Sequence, residues 1–134
     1  MSQPEITLAT YIGSQVGALT YGTNLFPGPM RPSGEGSIPH ECVFVISTGG
    51  LAPQQFVGMS TSIKYHGAQV MIRGDRKDFQ GGLALARSCY DAAHKAPLSG
   101  YIDCLVVESD PSYLGEDDDG HPLWSINLIL HIRE

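Results

Sequence analysis

The chain has 134 residues and a mass of 14.4 kDa, with 42% hydrophobic and 16% charged residues, a composition that fits one α+β domain over residues 1–134 and excludes a disordered chain. Eight Lys and Arg against fourteen Asp and Glu leave a formal net charge of −6, which disfavours tight, non-specific binding to nucleic-acid phosphates. No apolar run approaches the ~20 residues that span a bilayer, and Met1-Ser2-Gln3-Pro4-Glu5 lacks the basic start of a signal peptide, so a soluble chain made in a cytoplasm, with no membrane partner, is expected.

Ser2-Gln3-Pro4-Glu5 has the form of a capping box, and Leu8, Ile12, Val16 and Leu19 then recur on one helical stripe. The spacing predicts a helix over residues 3–20. Gly13 and Gly17 inside it each cost about 1 kcal/mol relative to Ala, an expense best explained by close approach of another backbone. From 26 to 40 the chain carries Pro27, Pro29, Pro32 and Pro39 among three glycines, which predicts a long extended loop. Cys42-Val43-Phe44-Val45-Ile46 reads as a central strand buried on both faces.

The segment 49–62 shows no clear period. Phe56, Val57 and Met59 within it are apolar without a core pattern, which suits an arm that docks on a partner. Residues 63–73 alternate as a strand, but the apolar parity slips between Ile63 and Tyr65 and the later set Ala68, Val70 and Ile72. A bulge near Gly67 would absorb the slip. Asp78 is a good N-cap for a helix carrying Phe79, Leu83, Ala86, Tyr90 and Ala93, stopped by Pro97. Residues 101–107 read as a strand, 109–122 as a polar loop, and Trp124 to Arg133 as the clearest strand of the chain. The expected architecture is α+β: two helices on one face of a four-stranded, mostly antiparallel sheet, in the order α-β-β-α-β-β, with long loops.

Chemistry-bearing patterns are sparse. Cys42, Cys89 and Cys104 are widely spaced and form no Cys-x-x-Cys pair, and burial of Cys89 on its helix would raise its pKa and quiet it. Five histidines are scattered without zinc spacing, and the run Glu116-Asp117-Asp118-Asp119-Gly120 fails as a calcium loop because Gly115 and Ile126 would fall on ligand positions. That run reads as a solvated turn. Gly-Gly at 49–50 and at 81–82 lacks the context of a dinucleotide site. No catalytic residue, cofactor or metal is expected. Arg73-Gly74-Asp75-Arg76-Lys77-Asp78 is the one dense mixed-charge cluster. Arg73, Asp75 and Arg76, with Phe56, Val57 and Met59 and the acidic Asp117, Asp118 and Asp119, are the candidate subunit or partner interface. In a head-to-tail ring the basic corner of one copy could meet the acidic loop of the next.

Three stretches, Phe44-Val45-Ile46-Ser47-Thr48-Gly49-Gly50, Gln69-Val70-Met71-Ile72-Arg73-Gly74 with the helix to Tyr90, and Leu114-Gly115 through the acidic turn to Asn127-Leu128, occur in an order that resembles the tail terminator, or minor capsid (tail-completion), proteins of long-tailed bacteriophages. His121 stands where that pattern leads one to expect Arg, and residues 26–40 are unusually rich in Pro and Gly. The resemblance implies a structural virion protein of the tail or neck, assembled in the host cytoplasm. It implies a hexameric ring that caps the tail tube, stops its polymerisation and joins it to the head-tail connector, while genomic DNA passes through the lumen. The partners would then be copies of itself, the tail tube protein and the connector or neck protein. The competing readings are another neck, connector or tail-tube component, or a small ligand-binding or enzymatic α+β domain.

Overall fold

The computed structural model describes residues 3–28, 39–55, 58 and 62–133, apart from the side chains of 51 and 53–55. The first helix, α1, spans Pro4–Gln15 and is shorter than its apolar stripe. Its N-cap is Gln3, which makes no side-chain cap, and Pro4 opens the first turn, where a missing N–H costs nothing. Ser2, which opens the expected capping box, lies outside the described residues. At the other end Val16 turns extended, with φ −106° and ψ 106°. Asn24 takes over there: its Oδ1 accepts from the Thr20 N–H at 2.7 Å and its Nδ2 donates to the Ala18 carbonyl at 3.0 Å. Those bonds compete with helix continuation, so Val16 and Leu19 reach the core from a turn.

The strands are β1 (Leu25–Pro27), β2 (Cys42–Gln55), β3 (Ser62–Arg73), β4 (Asp103–Val106), β5 (Ser112–Glu116) and β6 (Pro122–Arg133), with helix α2 at Phe79–Ala93 between β3 and β4. They form a six-stranded mixed sheet in the order β1-β2-β3-β6-β4, with β5 also paired to β6. The expected four-stranded, mostly antiparallel sheet is overturned. The two extra strands fall where loops were read: β1 runs from Leu25 into the start of 26–40, and β5 lies within 109–122. β1 has three residues, one of them Pro27, and pairs parallel to β2, Leu25 opposite Val43. Such a short strand has no measurable period, and Pro is tolerated at a sheet edge. β2 likewise runs through half of the segment read as an arm, and Phe56, Val57 and Met59 lie outside the described residues.

β3 and β6 form the uninterrupted centre, paired from Ile63↔Arg133 to Arg73↔Leu123. No bulge interrupts β3 against β6. The register shift near Gly67 sits on β2, between Ser47 and Gly49, where Gly49 and Gly50 take φ of +87° and +101°. The slip of parity in β3 has another cause: Ala68, Val70 and Ile72 point to the helices, whereas Ile63 and Tyr65 belong to the opposite face.

Both helices pack on that first face. Leu8 and Ile12 of α1 and Leu85, Ala86 and Cys89 of α2 bury against Val43, Val45, Val70, Trp124, Ile126 and Leu130. The opposite face carries Phe44, Ile46, Met71, Leu105 and Ile129, all half-buried. β2 is thus buried on one face and not two.

Candidate assembly surfaces

Asp78 caps α2 by accepting from the Gly81 N–H at 2.9 Å, as its residue type predicts. That cap fixes the corner between β3 and α2. The corner then docks on the acidic turn of the same chain. The Gly74 N–H donates to the Pro122 carbonyl at 2.8 Å, the Lys77 N–H donates to the Gly120 carbonyl at 3.0 Å, and Lys77 Nζ lies 3.8 Å from Glu116. Lys77 takes a left-handed φ of 59° to make this approach. Basic corner and acidic loop therefore already meet within one copy.

Arg73 ends β3 with its guanidinium turned to the chain entering β2: Nε donates to the His40 carbonyl at 2.9 Å and Nη2 to the Pro39 carbonyl at 2.6 Å. Asp75 is exposed and accepts from the Arg76 N–H, and Arg76 is exposed. Glu41 sits in the same region, where burial and then the nearby Asp75 and Asp78 charges push its carboxyl up.

In the acidic turn the three aspartates separate. Asp118 and Asp119 are exposed, but Asp117 is structural. Its Oδ1 accepts from the N–H groups of His121 and Asp119, at 2.9 and 3.0 Å, and both its oxygens lie within 3.1 Å of His121 Nδ1. Burial alone would raise the Asp117 carboxyl, but these bonds outweigh it and hold the group below its ordinary value. The other nitrogen of His121, a ring only 3% exposed, lies 2.8 Å from His40 Nδ1. With Nδ1–H of His121 facing Asp117, Nε2 can accept from His40, so one chain of bonds ties the acidic turn to the base of β2. His40 and His121 are 81 residues apart, and no spacing in the sequence could have joined them. The one signal was the substitution at 121 within the resembling stretch.

On the far side of β6, the gap between β4 and β5 is filled by a side chain. Glu108 Oε1 accepts from the Asn127 N–H at 2.9 Å and Oε2 from Asn127 Nδ2 at 2.7 Å, while Asn127 Oδ1 accepts from Gln69 at 3.1 Å. Beyond β4 the edge is sealed: the Lys95 N–H donates to the Cys104 carbonyl at 2.8 Å, and the Val106 N–H to His94 Nδ1 at 3.3 Å. Along the same side lie exposed apolar residues, Ile102, Val107, Tyr113 and Leu114, and Phe79 stacks edge-on against Tyr113 with ring centres 5.1 Å apart.

A cleft of about 590 Å³ between the end of α1 and α2 is lined mostly by small and apolar residues, with Gln15, Glu41, Ser88 and Asp91 at its polar positions. Burial pushes the thiols of Cys89 and Cys104 up to about 12, so both are protonated near neutral pH. Among the described residues no group of three or more His, Cys, Asp or Glu gathers to hold a metal ion, and no helix is long and apolar enough to cross a membrane.

A family model for bacteriophage tail terminator proteins matches residues 28–134, from the residue after β1 through the whole of β6. No curated protein matches the chain.

Proposed function

The chain belongs to the bacteriophage tail terminator family, a structural tail protein family, and on that premise we propose that it closes into a ring that caps the finished tail tube and joins it to the neck. The family match over most of the chain carries this reading. Copies of the chain, the tail tube protein and a head-tail connector protein are its partners, and genomic DNA crosses the lumen without sequence-specific contact. Six copies per ring follow the family resemblance. The exposed apolar residues between 102 and 114 give one copy a surface that another element can cover. The formal charge of −6 suits a conduit, because a wall that repels phosphate lets the duplex slide.

Native mass spectrometry of the full chain tests the ring. A closed oligomer, with six copies expected, supports the proposal, and a monomer at every concentration overturns it. Addition of the ring to polymerising tail tube protein should shorten the tubes. Unchanged tube lengths would remove the capping role.

A further inference from the structure

The sheet manages its edges unevenly. At one side β1 covers only the start of the outer edge of β2, as far as Val45: the Val43 N–H donates to the Asn24 carbonyl and the Gly28 N–H to the Val45 carbonyl, at 2.8 and 2.7 Å. At the other side Lys95 and His94 seal β4. Two segments stay open among the described residues. One is β2 from Ser47 onward, where Ser47, Thr48, Gly49 and Gly50 are exposed and the paired strand is β3 alone. The other is the outer edge of β5, paired to β6 on its inner side and carrying Tyr113 and Leu114, 48% and 51% exposed. Natural sheets block their edges with charges, bulges or cover, so an apolar edge left open beside two closed ones is an exception.

We propose that these two open segments pair with each other between copies, the β5 edge of one chain adding to the β2 edge of the next, so that the sheets run on around the assembly. This rests on the ring reading above and names how the ring closes. The geometry requires two copies, because the segments lie on opposite edges of one sheet. They also lie at opposite ends of it. β5 pairs with the start of β6, at Pro122 to Ser125, whereas the open part of β2 pairs with the half of β3 that reaches the end of β6. Joining them staggers each copy against its neighbour, as strands in a closed barrel are staggered. The contact is head-to-tail, the kind that makes rings when its rotation closes. Both segments are irregular, β5 at Leu114 and the open part of β2 at Thr48 and again between Leu51 and Gln54, which restricts pairing to a strand of matching shape. Apolar area adds to the backbone bonds: of the seven exposed large hydrophobics among the described residues, Ile102, Val107, Tyr113 and Leu114 lie along this one side, and Phe79 abuts Tyr113.

Two variants of the full chain test this. Val43 N–H and Val45 C=O point outward from β2, and the two-residue pleat turns the Ser47 N–H the same way. Ser47→Pro removes that donor without touching the bonds to β3, so circular dichroism and thermal midpoint should be kept while rings fall at least tenfold. Intact folded rings of Ser47→Pro at wild-type yield would overturn the inference and leave the ring reading standing. In the second variant, Ser47→Cys with Leu114→Cys, a short bismaleimide should give a covalent ladder up to the ring; the native cysteines are buried. Either single cysteine alone should give none. Dimers from a single-cysteine variant would mean like edges pair, and uncross-linked rings would mean that other surfaces meet; both refute edge-to-edge addition. A wild-type chain that never leaves the monomer overturns the ring reading and this inference with it.

Discussion

Gly82 has no room for a side chain. A Cβ there would overlap the Trp124 ring, with Cη2 at 2.7 Å, and Trp124 is 1% exposed and fixed in the core. Gly81 faces the Asp78 carboxylate that caps the helix. The pair at 81–82 thus serves a cap and a close helix–sheet approach. Ala at position 82 gains about 1 kcal/mol of helix propensity and loses about 1–3 to overpacking, so Gly82→Ala should lower the unfolding free energy measured in urea by a net ~1 kcal/mol. Gly13 shows a milder version, its Cβ falling 3.1 Å from Leu25 Cδ2, whereas Gly17 has open space around it.

Asp117 gives the chain an acid-sensitive turn. Its carboxyl is held below the ordinary value of about 3.9, so its contribution is complete above that value and disappears as pH falls through the lowered folded one. Thermal midpoints of Asp117→Asn should accordingly vary less than wild type between about pH 4 and pH 2. Asp118→Asn with Asp119→Asn should leave the unfolding free energy at neutral pH unchanged within ~0.5 kcal/mol, because both side chains are exposed. Arg73→Ala removes two donors from the Pro39 and His40 carbonyls and should cost about 1–2 kcal/mol in a denaturation curve, with the core intact.

At the scale of elements, the far edge of β6 is completed by β4, Glu108 and β5 in turn. The Glu108 carboxylate substitutes for a strand partner at Asn127, while its own carbonyl accepts from the Tyr90 hydroxyl of α2 at 2.7 Å. Glu108→Ala should cost about 1–3 kcal/mol through the half-buried Asn127 N–H it leaves unpaired, and Glu108→Gln less, because one acceptor survives. Urea denaturation of the two variants separates these outcomes. α2 was legible because cap, period and stop agree in the sequence. α1 was legible only as far as Gln15, since its stripe continues to Leu19 on residues that leave the helix. The exposed Arg87–Asp110 pair, at 3.1 Å, adds little by comparison.

At the scale of the whole molecule, one sheet face is packed by both helices and the other is half-buried, with Phe44, Ile46, Met71 and Ile129 on it. A surplus of six negative charges spreads over this small body. Fluorescence anisotropy with duplex DNA at about 50 mM salt should therefore show no binding, as the proposed conduit role requires. Retention of DNA that fades with added salt would place unneutralised cations on the path.

Helix α2, α1 as far as Gln15, strands β3 and β6 and the first residues of β2 were legible in the sequence, because 3.6- and 2-residue periods report which side chains face away from water, whereas the second half of β2 read as an arm. The family was legible too, from the order of short motifs between 44 and 128, and a family model matches residues 28–134. Only the tertiary structure decided the rest. β1 and β5 are too short to carry a period and exist because a longer neighbour offers backbone partners. The displacement of the bulge from β3 to β2 depends on which strand kept register with β6. The His40–His121–Asp117 chain, and the choice of which edges are sealed, depend on residues brought together across the fold, and proximity of that kind leaves no local pattern to read.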